Sequence, residues 1–277
     1  MAGAINNSTG VLDALRYLQS STKDLGSAEG RLSSGLRVST AREDVTAYHS
    51  ASLMKAQSGS LSAVTLSLSR AESISDTAIT AGEQISKLLT EMAKTVGAAT
   101  SGDLSPDQRA AYETQYQQQL AQISNFIRNA SFDDSNTLDG SKPLGISFIA
   151  DSEANASLSL KGRNFLPGGQ VITLIPGTND LMSPTNAMQT KQALEQSIAN
   201  IGDQLSEMVA ENKRIEAQKG FVGRLADALA AGVGRMVDAD LAAESALIQA
   251  LQVKQQLSAQ SVGIANSTPQ ALLSLFR

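Results

Sequence analysis

The longest hydrophobic pattern in the chain runs from Leu194 to Met236, and no proline interrupts it. Read in alternating steps of four and three residues, the pattern has two polar positions, Asn212 and Lys219, and is otherwise apolar. This period is typical of a long α-helix with one apolar stripe, which we call its seam. At a rise of about 1.5 Å per residue, the helix would extend over roughly 65 Å and needs an equally long partner.

Two seams in the first half of the chain supply candidate partners. One covers residues 11–36, and the other covers residues 61–96 within a predicted helix from about 45 to 99. Because these segments must reverse direction to meet the 194–236 helix, we expect that helix to pack antiparallel against residues 61–96. The small residues at 71–82 would allow the two backbones to approach closely.

Local signals mark where further helices begin and end. Ser33-Ser34-Gly35 disfavours helix, so a bend or connector is expected between about 34 and 44. Ser105 and Pro106, followed by Gln108, match a capping box with proline in the first turn. This signal predicts a third helix that ends near Asn129 and lies alongside the other two.

The period changes after residue 131. Alternating segments at 144–149 and 156–160, and more loosely at 170–175, are separated by turn residues and predict short strands. Because these segments are short and broken by Gly and Pro, residues 140–182 are expected to form a small, exposed β insert that assembly does not need.

The last apolar region, residues 238–266, does not keep its apolar residues on one stripe. A helix that is apolar on several sides must be buried on several sides, here by other helices, including those of other subunits. The sequence therefore predicts a mainly α fold: an elongated rod of long antiparallel helices, with paired terminal coiled-coil helices and a small β insert.

Composition argues against catalysis and against several classes of partner. The net charge is -5 with no basic cluster, there is no Cys, and His49 is the one histidine. Nucleic acid, thiolate metal sites and His-based catalysis are therefore not expected, and His49 is predicted to be a partly buried helix residue. The pairs Glu43-Asp44 and Asp133-Asp134 are explained by a helix start and a turn. We expect no enzyme activity, no cofactor, no membrane span and no cleaved signal peptide.

Two end motifs resemble those of bacterial flagellins. They are Arg31 to Asp44 (RLSSGLRVSTARED) and Ala265 to Arg277 (ANSTPQALLSLFR), and residues 5–140 and 185–277 follow the pattern of that family. The resemblance implies a non-enzymatic subunit that polymerises into the flagellar filament for motility.

The resemblance also implies a division into three domains. Residues 1–44 and 237–277 would form a terminal coiled-coil domain that lines the filament bore. Residues 45–139 and 183–236 would form the helical rod domain, and 140–182 would be a reduced variable region. The residues expected to carry self-assembly are apolar positions of the terminal helices: Leu15, Leu18, Leu25, Leu32, Leu247, Leu251, Leu257, Val262, Leu272, Leu273, Leu275 and Phe276.

The expected partners follow from the same resemblance. They are further copies of the chain, other flagellins of the same cell, the type III flagellar export apparatus with its chaperone, and the filament cap and hook-junction proteins. The protein would be secreted and located in the filament. Flagellins recognised by a vertebrate Toll-like receptor carry two Arg where this chain has Glu91 and Ala93, so that recognition is not expected.

Two alternatives stay open at this point. A hook–filament junction protein shares related end helices, and a soluble coiled-coil adaptor would share the seams. The two end motifs favour the flagellin prediction over the junction protein. An adaptor would need terminal helices suited to solvent, whereas residues 247–264 are apolar on too many sides. An adaptor would also remain a small oligomer at any concentration.

Overall fold

A computed structural model describes residues 9–275, and describes the side chains of residues 11–264. Within that range it has five helices: α1 (Thr9–Ser34), α2 (Val45–Ala99), α3 (Pro106–Asn129), α4 (Pro184–Val237) and α5 (Leu241–Leu275). Its four short strands are β1 (Ser131–Phe132), β2 (Ser135–Asn136), β3 (Ile146–Ile149) and β4 (Ser157–Leu160). The strands pair as two antiparallel hairpins, β1–β2 and β3–β4. The predicted mainly α fold with a small β component is confirmed.

Short-range capping sets the helix boundaries. Asp44 Oδ1 accepts a hydrogen bond from the Ala47 N–H at 2.9 Å, which places the start of α2. At α3, Ser105 and Gln108 form the predicted capping box, in which each side chain accepts from the other residue's backbone N–H. At α4, Ser183 Oγ accepts from the Asn186 N–H at 3.1 Å. The start of α3 thus has the capping box that the sequence predicted, and α2 begins just after Asp44, where a helix start was expected.

The end of α2 depends on a residue that our sequence analysis did not single out. Arg109 is buried, and its guanidinium donates to the carbonyl oxygens of Ala99 at 3.0 Å and Ser101 at 2.5 Å. The last carbonyls of a helix have no partner within the helix, and a buried cation stabilises them. Arg109 thus closes α2 and fixes the turn that leads into α3.

The chain divides into two compact units. The first contains both chain ends, up to residue 56 and from residue 228, and the second contains residues 57–227. The domain limits expected from the sequence, at residues 44/45 and 236/237, stay a prediction.

An apolar core in the second unit is shared by α2, α3 and α4. Its fully buried side chains include Leu89, Met92, Tyr116 and Ile123. A Cβ added to Gly82 of α2 would lie 2.8 Å from a methyl group of Leu205 in α4. A larger residue at position 82 would therefore require the Leu205 side chain to move, which agrees with the close approach expected from the small residues at 71–82.

The two polar positions in the α4 seam each have an acidic partner on α2. Asn212 Nδ2 donates to Asp76 Oδ1 at 2.9 Å, and Lys219 Nζ lies 2.6 Å from Glu72 Oε2. As residue numbers rise along α4, those of the partners fall along α2, which confirms the antiparallel packing. Polar pairs inside an apolar seam fix one register, because a shifted register would leave their charges unpaired.

The expectation that residues 140–182 are exposed is wrong for the second half of that segment. Phe165, Ile172, Leu174 and Leu181 are fully buried in the core of the second unit. These residues close the core that the three helices leave open, so removing them would expose apolar surface to water. The apolar alternation that we assigned to a surface strand reflects contact with this core.

The predicted third strand at 170–175 does not form. The Thr173 N–H donates to Ser197 Oγ at 3.0 Å, and the Thr173 hydroxyl lies 3.0 Å from the Ala193 carbonyl oxygen. Helix α4 therefore satisfies the polar groups that a neighbouring strand would otherwise pair with. The same period-two pattern thus arises here in an extended segment that packs on a helix.

A buried ion pair ties this segment to α4. The Arg163 side chain is 5% exposed, and its Nη2 lies 2.9 Å from Glu211 Oε1. Its Nε donates to Gln204 Oε1 at 2.9 Å. Removing either charged partner would leave the other buried without compensation.

The candidate self-assembly surface

Helices α1 and α5 pair antiparallel in the first unit. Near one end, Arg31 forms an ion pair with Glu244, and further along Gln255 Nε2 donates to Thr22 Oγ1 at 3.2 Å. Among side chains 11–264, the buried apolar contact between the helices is small and consists of Ala28, Ile248 and Leu251 with the half-buried Leu25. The pairing of the terminal helices agrees with the prediction, but over the described side chains it buries only a narrow strip.

Most of the larger apolar side chains of this pair lie outside that strip. The exposed ones among the described residues include Leu12, Leu15, Tyr17, Leu32, Leu247, Val253 and Leu257. Exposed apolar surface of this extent marks a contact with another macromolecule.

The predicted self-assembly residues divide by exposure. Leu251 is buried within the pair, and Leu18, Leu25 and Val262 are half-buried. The exposed members are Leu15, Leu32, Leu247 and Leu257. The side chains of Leu272, Leu273 and Leu275, and the whole of Phe276, lie outside the described residues.

The connector between α1 and α2 contacts the turn between α4 and α5. Helix α1 ends at Gly35, which has φ of +70° and whose N–H donates to the Arg31 carbonyl oxygen at 2.9 Å. A left-handed residue at this position favours glycine. The Gly35 carbonyl oxygen then accepts from the Ala239 N–H at 2.9 Å, and the Arg37 N–H donates to the Val237 carbonyl oxygen at 2.7 Å. The Arg31–Asp44 motif therefore holds the α4–α5 turn, a role that sequence reasoning did not identify.

A small apolar cluster supports this connector from the side of α2 and α4. It contains Val38, Ala47, Ala51, Val233 and Val237. His49 lies on α2 close by in sequence but is exposed, so the prediction that it is partly buried is wrong. The buried positions of this part of α2 are Ala47 and Ala51, and His49 lies two residues from each, on the opposite side of the helix.

Glu43 organises the first part of the connector. Its Oε2 accepts from the N–H of Ser39 at 2.6 Å and from the N–H of Thr40 at 3.1 Å. These backbone donors, Ser39 foremost, lower the pKa of Glu43 from its ordinary value of 4.5. The ionised carboxylate is therefore the form that the folded connector favours.

The lowered pKa of Glu43 predicts an acid-sensitive connector. Its stabilisation is present above the ordinary pKa of 4.5 and is lost as the pH falls through the lowered pKa of the folded state. The amide NMR shifts of Ser39 and Thr40 should therefore titrate below that ordinary value. In Glu43→Gln, a neutral group of similar size, both shifts should be insensitive to acid. Titration that persists in the Gln variant would show that another group is responsible.

The described residues show neither a metal cluster nor a membrane helix. Across residues 11–264, no three His, Cys, Asp or Glu side chains come together in a way that could hold a metal ion. Within the described helices, none is both long and apolar enough to cross a bilayer.

Comparison with known proteins identifies the family. Residues 5–143 match the bacterial flagellin N-terminal helical region, and residues 191–276 match the bacterial flagellin C-terminal helical region. Flagellin FljJ of Caulobacter vibrioides is 34% identical over 283 residues, covering 100% of this chain and 99% of that protein. A flagellin of Brucella melitensis is 32% identical over 288 residues, covering all of both chains.

The fold is also similar to that of a putative flagellar hook-associated protein from Vibrio parahaemolyticus. The TM-score is 0.56 at 12% identity, over 71% of this chain and 100% of that one. The chain belongs to the bacterial flagellin family. It is a structural subunit of the flagellar filament, with no enzymatic role, and it self-assembles with other flagellins. The full-length relatives do not favour the junction-protein and adaptor alternatives.

Proposed function

We propose that the exposed apolar faces of α1 and α5 form the contacts between subunits in the filament. The observation that carries this proposal is the narrowness of the buried strip between the two helices. A soluble monomer gains nothing from the exposed Leu15, Leu247 and Leu257, which are 39%, 40% and 59% exposed. A polymer can cover them with neighbouring copies.

Burial of this surface would favour polymerisation. Fully burying one leucine contributes about 1.5–3 kcal/mol, and these three are already partly covered, so each would contribute only part of that. Several such side chains on both helices would offset part of the about 4–15 kcal/mol that association costs in lost freedom. The half-buried Leu18 and Val262 keep some exposed area that neighbouring copies could also cover, whereas Leu25 packs within the pair.

The finer organisation is proposed from the family resemblance together with this surface. The terminal helices, residues 1–44 and 237–277, line the filament bore, and residues 45–139 and 183–236 surround them. The subunit leaves the cell through the type III flagellar export apparatus after release from a chaperone. In the filament it contacts the cap and the hook-junction proteins at the two ends of the polymer.

A substitution on the exposed face of α5 tests the proposal. Leu257→Asp should leave the helical content of the monomer unchanged, because Leu257 is 59% exposed. It should prevent seeded filament growth, because a carboxylate would have to be buried between subunits. Circular dichroism and light scattering during seeded growth measure the two effects. The matched control is Gln256→Asp, which adds the same charge one residue away at an exposed polar site and should still polymerise. Growth of Leu257→Asp at the wild-type rate would show that this face of α5 is not part of the contact between subunits.

A further inference from the structure

Helix α1 meets α5 mainly through small side chains. Over residues 11–31 its buried and half-buried positions recur in steps of three and four: Val11, Ala14, Leu18, Ser21, Leu25, Ala28 and Arg31. Of these, Ser21 and Ala28 are fully buried and lie seven residues apart. Small side chains bury little apolar area, so this contact alone fixes only weakly how α1 is turned about its own axis.

The observed rotation of α1 is not the one that its side chains would favour on their own. The Ser21 hydroxyl oxygen is buried and has no hydrogen-bond partner among the described residues, and an unpaired buried polar group is destabilising. In the same rotation Leu12 and Leu15 stay 46% and 39% exposed. An interaction outside the small-residue contact must therefore hold Ser21 against α5.

An ion pair at one end of the two helices provides such an interaction. Arg31 Nε contacts Glu244 Oε1, and the two side chains are only 30% and 14% exposed. Arg31 lies in the last turn of α1 and Glu244 in the first turn of α5, so each charge also stabilises its own helix end. A second ion pair of α1, between Arg16 and Asp13, is 79% and 60% exposed, and pairs that are this exposed contribute little.

The connector after α1 holds the end of the helix but not its rotation. The Gly35 carbonyl oxygen accepts from the Ala239 N–H, and Gly35 has φ of +70°. Because glycine adopts many backbone conformations at low cost, α1 can turn about its axis while this hydrogen bond is kept. Arg31 belongs to the helix itself, so its contact with Glu244 restrains the rotation.

We propose that Arg31 and Glu244 are positioning residues for self-assembly, because their ion pair sets the rotation of α1 against α5. This rotation holds Ser21 inward and leaves Leu15 outward, where neighbouring copies can cover it. The inference rests on the proposed function, which places the contacts between subunits on the exposed faces of these helices. Without the ion pair, α1 turns and its outer face is no longer held in place.

Thiol labelling measures the rotation in the free full-length chain, which has no Cys of its own. In Ser21→Cys, which exchanges one oxygen for sulfur, the thiol should react slowly with a maleimide, because position 21 is fully buried. Adding Arg31→Ala should raise the labelling rate at least about tenfold, since the helix pair then opens more often. Arg31→Lys keeps the charge and should stay slow. The matched control, Arg16→Ala, removes an arginine from the exposed ion pair of the same helix and should leave the rate unchanged.

Charge reversal tests whether the two residues act as a pair. Arg31→Glu and Glu244→Arg should each expose the thiol at position 21 and slow seeded elongation at least about fivefold. The double variant Arg31→Glu/Glu244→Arg should recover part of both, because the pair returns while each charge now opposes its helix end. Circular dichroism should show the melting transition of residues 57–227 unchanged in every variant.

The outcomes separate this inference from the proposed function. Fast labelling of Ser21→Cys without a second change, slow labelling after Arg31→Ala, or no recovery in the double variant would each overturn the inference. Faster labelling after Arg31→Ala with elongation at the wild-type rate would also overturn it, because the rotation would not matter for assembly. If Leu257→Asp blocks growth while Arg31→Ala changes neither labelling nor growth, the proposed role of α1 and α5 stands and this inference fails.

Discussion

Leu68→Asp is expected to unfold the second unit. Leu68 is fully buried in α2 and belongs to the seam that faces α4. Replacing it removes core packing at a cost of about 2–5 kcal/mol, and burying an unpaired carboxylate adds several more. Because domains are stable by only about 5–15 kcal/mol, the sum is comparable with the whole free energy of unfolding.

The same change two residues earlier supplies the control. Leu66→Asp alters the same residue type on the same helix, but Leu66 is 74% exposed, so the fold should tolerate it. Thermal unfolding followed by circular dichroism should show the main cooperative transition lost in Leu68→Asp and retained in Leu66→Asp. Equal melting temperatures for Leu68→Asp and the wild type would contradict the packing of α2 against α4.

Removing residues 268–277 is expected to abolish filament growth without unfolding residues 57–227. The segment contains Leu272, Leu273, Leu275 and Phe276, four large apolar residues within its last six positions. Fully burying four such side chains would contribute roughly 6–12 kcal/mol before ordering costs. A partner helix of the same chain covers only one side of α5, so we expect neighbouring subunits to provide most of this burial.

Two readouts separate assembly from folding in the truncated chain. The melting transition of residues 57–227 should match that of the full chain, and seeded polymerisation should be undetectable. A variant with Leu272, Leu273, Leu275 and Phe276 changed to Ser keeps the length and should behave like the truncation. Growth of either variant at the wild-type rate would show that residues outside the tail provide the free energy of assembly. Loss of the melting transition would show that the tail stabilises the second unit.

The helices could be predicted closely because their causes are local. The seam of α4 and the capping box at Ser105 each lie within one stretch of sequence, and the structure reproduces both. Asn212 and Lys219 stood out as polar positions in an apolar seam. Their partners Asp76 and Glu72 could not be found in advance, because pairing across more than a hundred residues depends on the helix register.

The segment after the hairpins was predicted less well, because its structure also depends on contacts with residues distant in the sequence. Its alternating apolar residues predicted a strand, and only the fold shows that Ile172 and Leu174 enter a core made by helices. The sequence analysis did not single out Arg163 or Arg109, because their burial depends on Glu211 and on the end of α2, which are distant in sequence or set by the fold. Candidate assembly residues could be predicted only as apolar positions, because the sequence pattern does not show which side chains a partner helix leaves exposed.

Growth of the purified full-length chain from short filament seeds tests the central claim most directly. Electron microscopy and sedimentation over a range of protein concentrations would follow the product. A filament subunit should show a critical concentration above which long filaments form and the monomer concentration stays constant. A chain that remains a monomer or small oligomer at every concentration, with or without seeds, would contradict the account.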